Sequence, residues 1–192
     1  RNALKIRAGR ARGRHKEDRV QQLIVNAIGP DRPGIVGQFT GHLHEGGANV
    51  LESRMVNLRG QFAIIALFEA EDAAAENLRR SLPVLAKDIG MRITLASAEV
   101  PLESAPGIPF RLKTYSMDQP GILYGVSDVL RAYRVNIEDL SARQESAAFM
   151  GTPLFLMEMR LTVPPNVPIK ELRARLQSAC DALNCDVDFE PA

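Results

Sequence analysis

The strongest constraint on the fold is an internal repeat. Asp31-Arg32-Pro33-Gly34-Ile35 returns 87 positions later as Asp118-Gln119-Pro120-Gly121-Ile122. The same offset relates Val36 to Leu123, Asn49 to Asn136, Val50 to Ile137 and Glu52 to Asp139. A shared pentapeptide alone is a weak signal, but a register held this far marks duplication of one structural unit. The 192 residues therefore divide into two modules of about 80 residues, near the lower limit for a self-sufficient core. The expected organisation is a basic flexible tail over 1–19, a first module over 20–100, a linker over 101–107 and a second module over 108–190. Pro101, Pro106 and Gly107 suit neither helix nor strand and mark the join.

Each module reads the same way. The apolar run Leu23–Ile28 predicts a strand. Gly29-Pro30-Asp31 ends it, and a helix is expected from Arg32 or Pro33, because the first helical turn needs no proline N–H. Ile35, Val36, Phe39 and Leu43 share a helical face, and Gly46-Gly47 stops the helix. Strands follow at Val50–Leu58 and Phe62–Phe68, joined tightly by Arg59-Gly60. A helix over about Asp72–Lys87, with Pro83 in its last turns, leads to a strand at Met91–Ala98. In the second module the strands are Phe110–Tyr115, Asn136–Ala142, Leu154–Val163 and a last one carrying Cys185, Val187 and Phe189. Its helices carry Ile122, Val126, Val129, Leu130 and Tyr133, then Ile169, Leu172, Leu176 and Leu183. Glu145–Thr152 makes a longer connection than Arg59-Gly60.

The order β-α-β-β-α-β, twice, defines an α+β chain in which each module has one antiparallel sheet with two helices on one face. Phe62–Phe68 is apolar on both of its faces. One face packs on the module's own helices; the other needs a cover. Packing of the two modules together and a homodimer are both expected.

Charge is distributed unevenly. Residues 1–19 hold eight basic and two acidic residues, a net +6, which leaves 16 basic and 21 acidic residues, a net −5, in the remainder. A mildly acidic body argues against direct DNA binding, which needs an electropositive face. No apolar stretch approaches the roughly 20 residues that span a bilayer, so no membrane association is expected. Two cysteines, Cys180 and Cys185, cannot build a disulfide framework, and a reducing cytoplasmic setting is expected. Both read as core positions.

The repeated segments offer one kind of chemistry. Asp31-Arg32-Pro33-Gly34 and Asp118-Gln119-Pro120-Gly121 lie at a strand end and a helix start, where free N–H groups and the helix dipole converge and an anion can bind. Asn49 and Asn136 begin the next strands, and the topology is expected to bring them alongside the same end. A small zwitterion could set its carboxylate on the N–H groups and its ammonium on an Asn or Asp oxygen. The alternative is architectural: Asp31 and Asp118 cap helices, Pro33 and Pro120 fix first turns, and Asn49 and Asn136 end loops.

The Asp31-Arg32-Pro33-Gly34-Ile35-Val36 segment, the Gly46-Gly47-Ala48-Asn49 turn and their second copies resemble the ACT domain, a small amino-acid-sensing regulatory module. A tandem of such domains is similar to the glycine cleavage system transcriptional repressor family, and the first module also to the amino-terminal module of formyltetrahydrofolate deformylase, whose catalytic domain is not expected here. The resemblance covers about residues 20–190. It implies a ferredoxin-like fold, side-by-side pairing of modules and effector sites at module interfaces near the first loop. By it, Asp31, Gly34 and Asn49 face a ligand in the first copy, and Asp118, Gly121 and Asn136 in the second. It further implies a small amino acid effector, with glycine or serine as first trials, and a regulatory protein partner. A module without a small-molecule ligand, recruiting a protein through its sheet, is the alternative.

No enzyme is expected: no nucleophile stands beside a base, and no acid–base pair is marked. No cofactor or metal is expected either. His42 and His44 are two apart in a helix and point apart, Gly34 and Gly37 lack the rest of a nucleotide loop, and the cysteines lack a zinc-site spacing.

Overall fold

The computed structural model describes residues 19–98, 106–146 and 153–192. Nearly all of the basic tail, residues 101–105 of the linker and most of the Glu145–Thr152 connection lie outside the described residues. The chain divides into two compact units, with the boundary between Pro101 and Leu102.

The first unit runs β1 (Val20–Pro30), α1 (Ile35–Glu45), β2 (Asn49–Leu58), β3 (Gln61–Glu71), α2 (Asp72–Ile89) and β4 (Arg92–Ser97). The second runs β5 (Ile108–Met117), α3 (Ile122–Ala132), β6 (Asn136–Ser146), β7 (Pro153–Val163), α4 (Ile169–Asp181) and β8 (Cys185–Pro191). The sheets have the orders β2-β3-β1-β4 and β6-β7-β5-β8, each neighbour antiparallel to the next. This is the ferredoxin-like arrangement twice over.

Alternation along the strands decides which face meets the helices. Phe62, Ile64, Ala66 and Phe68 on β3 are buried with Leu23, Val25 and Ala27 on β1. Ile35, Phe39 and Leu43 of α1 and Ala75, Leu78 and Leu82 of α2 complete that core. In the second unit Leu112, Met157, Met159 and Leu161 meet Ile122, Val126 and Leu130 of α3 and Leu172, Leu176 and Cys180 of α4. Cys180 and Cys185 are both buried free thiols.

Two local expectations are corrected, and the end of α2 falls two residues past the expected Lys87. The first helix begins at Ile35, after Arg32 and Pro33. Gly34 at φ 85°, ψ −4° is left-handed, and the Ile35 N–H donates to Arg32 O at 3.2 Å. Pro33 and Gly34 are thus the two central residues of a type II turn, in which the second must have positive φ. Gly121 at φ 102° repeats the geometry before α3. The α2 helix continues six residues past Pro83 to Ile89. Leu183 lies beyond α4, partly buried against the core.

Candidate functional site

The two strands that carry the predicted residues leave the site in pieces. Both β1 and β2 run antiparallel to β3, so they are parallel to each other. The crossover through α1 returns the chain to the end where β1 started. Asn49 is level with Glu69 and hence with Gln22 near the start of β1. Asp31 follows β1 at its far end, nine residues on, about 30 Å away at a strand's rise per residue. The expectation that Asn49 joins the Asp31 loop at one end of its own module is therefore wrong, and the same topology separates Asn136 from Asp118. Each unit brings together Asp31 with Gly34, or Asp118 with Gly121, and sets its asparagine at the opposite end.

At the loop end the aspartates do not cap helices. No side chain caps α1 or α3. Asp31 instead accepts a 2.5 Å hydrogen bond from Asn57 Nδ2 and donates its own N–H to Gly60 O at 2.8 Å. Asn57 Oδ1 accepts from the Gly60 N–H at 3.1 Å. The carboxylate thus ties the loop to the β2–β3 hairpin, whose two central residues, Arg59 and Gly60, both have positive φ, as a tight right-twisted hairpin requires. Asp118 repeats this with Gln144 Nε2 at 2.5 Å and Pro153 O at 3.1 Å. Apart from the Ile35 N–H, which is held by Arg32 O, the first-turn N–H groups of α1 and α3 have no side-chain cap and can meet a small anion. The two turns differ in one respect. Arg32 donates to Gln38 of α1 at 2.6 Å on an exposed surface, whereas Gln119 donates to Leu183 O and anchors its turn to the α4–β8 connection.

At the other end each asparagine donates to a carboxylate. Asn49 Nδ2 bonds Glu69 Oε1 at 2.9 Å, and Asn136 Nδ2 bonds Glu138 Oε1 at 2.6 Å. Hydrogen bonds from Asn136 and then Thr162 hold the Glu138 carboxyl below its ordinary pKa. Glu138 is the extra residue of a β-bulge between Ile137 and Asp139, which recurs between Val50 and Glu52. With the amide nitrogen committed, the asparagine oxygen and the carboxylate together favour a cation. Sequence reasoning missed four participants: Asn57, Gln144, Glu69 and Glu138. Asn57 and Gln144 share the repeat offset and were findable by it; the two glutamates sit on different strands and share no offset.

An uncapped helix-start turn and an amide–carboxylate pair thus sit on a duplicated ferredoxin-like module. Residues 21–96 match the family model of the ACT domain, and the second unit repeats the topology of the first. It is similar to the glycine cleavage system transcriptional repressor of Escherichia coli (strain K12), 23% identical over 166 residues that cover 84% of this chain and 85% of the relative. Among solved structures, an unknown protein from Galdieria sulphuraria superposes with a TM-score of 0.74 at 29% identity, covering 91% of this chain and 99% of that one. A crystal structure assigned as a glycine cleavage system transcriptional repressor gives 0.64 at 18% identity, covering 90% and 99%. No described helix is long and apolar enough to cross a membrane.

Proposed function

We propose that the chain is a non-catalytic regulatory protein that senses a small amino acid at sites completed when a second copy pairs with it along β2. The observation that carries this reading is the split site on an open edge. All ten residues of β2 are exposed, Val50, Leu51 and Met55 by 40–52%. An exposed apolar edge strand is a template for pairing. Antiparallel pairing of two β2 strands about a two-fold axis sets the start of each beside the end of the other. Asn49 and Glu69 of one copy then approach the Asp31–Gly34 turn of its partner. The ligand carboxylate meets the N–H groups of α1, and its ammonium meets Asn49 Oδ1 and the Glu69 carboxylate.

The general habit of ACT domains, to bind amino acids and to dimerise, agrees with this. The acidic body favours action on transcription through a protein partner rather than by DNA contact. Calorimetry of the full chain against the twenty amino acids, glycine and serine first, tests the reading. Saturable binding of one of them supports it. No heat from any at millimolar concentration, with a folded protein, refutes it in favour of a pure protein-interaction module.

A further inference from the structure

The two units differ most on the sheet face turned away from their helices. In the second unit that face is charged and internally neutralised. Lys113 and Arg111 lie 3.6 and 3.9 Å from Glu158, and Arg160 lies 3.5 Å from Asp139. Such a face is satisfied in water. The matching face of the first unit is apolar at its centre. Ile24 stands beside Leu67, Ile28 beside Ala63, and Val56 next to Ala63 on the other side. Ile28, Ile65 and Val56 are 48–50% exposed. Two shallow apolar depressions, about 230 and 360 Å³, adjoin at Arg54 and Ile65. The one polar pair at the centre, Asn26 and Thr94, is bonded to itself at 2.8 Å. Charges flank this centre: Glu52 and Arg54 on the edge strand β2, Arg92 on β4 and Glu69 near the end of β3. An apolar centre within a charged rim is the anatomy of a protein interface, on a patch larger than scattered surface apolar residues produce.

We propose that this face is a self-association surface, on which the first unit of a second copy packs sheet to sheet. The charges select a second copy as the occupant, because they complement themselves. Glu52 and Arg54 are two residues apart on one strand, 3.8 Å from each other at their closest charged atoms. A two-fold axis running across the strands between their rows sets each Arg54 against the partner's Glu52, twice, and each Ile65 against the partner's Leu67, twice. The four strands give roughly 400 Å² per copy in plan. Two copies then cover on the order of 1,000 Å² with side-chain relief, the size of a reversible interface rather than an obligate one. The surface is the sheet face, to which Glu52, Arg54 and Val56 of β2 contribute; it does not use the open hydrogen-bonding edge of β2 and does not depend on ligand binding.

Sedimentation equilibrium of the full chain from micromolar to hundreds of micromolar tests this, with Ile65→Lys as the main variant. Ile65 is exposed and outside the core, so circular dichroism and the urea midpoint should stay near wild type. Because it enters a two-fold contact twice, Ile65→Lys should weaken association about a hundredfold. Arg54→Glu alone should also weaken it, and Glu52→Arg with Arg54→Glu should restore it. A wild-type chain that stays monomeric throughout would overturn the proposal. So would a multimer whose association constant Ile65→Lys leaves unchanged, since that multimer would be held elsewhere, for example by the β2 edge alone.

Discussion

Replacing Asn49 by Ala separates a ligand contact from a structural one. The side chain is exposed at the first residue of an edge strand, and its bond to Glu69 is exposed as well. Exposed polar pairs contribute little, so the empty protein should lose no more than about 0.5 kcal/mol. A hydrogen bond from an ammonium to the amide oxygen contributes about 1.5–3 kcal/mol, roughly ten- to a hundredfold in affinity. Titration calorimetry with the best-binding amino acid, beside urea unfolding, reads both quantities. Asn136→Ala should cost less affinity, because Glu138 keeps its bond from Thr162 and the upstream Gln119 turn is anchored to Leu183 O. The geometry adds a sharper test. If each site takes its loop from one copy and its asparagine from the other, Gly34→Ala and Asn49→Ala chains are each defective alone. After mixing and re-equilibration, hybrid pairs should regain about a quarter of the first-unit sites. No recovery on mixing refutes the exchange between copies. Stability losses equal at both asparagines, with affinity untouched, refute the ligand contact altogether.

Two further outcomes follow from packing and burial. A Cβ on Gly46 would lie 2.4 Å from Leu78 Cδ2, whereas one on Gly41 meets nothing within 4 Å. Gly46→Ala should therefore destabilise the first unit by about 1–3 kcal/mol, and Gly41→Ala, at a half-buried helical position with room for the methyl, should stabilise it by about 0.5–1 kcal/mol, both read from urea midpoints. Burial first, then the neighbouring Cys185, pushes the Cys180 thiol up to about 12. An unfolded thiol ionises near 8.5, so between about pH 9 and 12 the unfolded state releases a proton that the folded state keeps. That contribution to stability is complete below pH 8 and lost as pH rises through the window. Unfolding midpoints from pH 8 to 11 should fall more steeply in wild type than in Cys180→Ala, and equal slopes would contradict the burial argument.

Much of this protein is written locally. The repeat offset, the alternation of Phe62 to Phe68 and the helical face of Ile35, Phe39 and Leu43 gave the element order and the core, because periodicity records which side of each element meets apolar neighbours. The tie from Asp31 to Asn57, and its copy from Asp118 to Gln144, was within reach of the same repeat. The direction of the strands was not. A strand reads identically whether it runs toward a loop or away from it, and only the β1–α1–β2 crossover and the antiparallel pairing of both strands with β3 put Asn49 at the far end of the sheet from Asp31. Likewise Pro33-Gly34 fits either a first helical turn or a type II turn, and the left-handed Gly34 with its Arg32–Ile35 hydrogen bond decides for the turn. Tertiary structure thus separated the residues of one expected pocket, because side chains 18 residues apart in sequence were carried to opposite ends by a helix that must cross the whole length of the sheet.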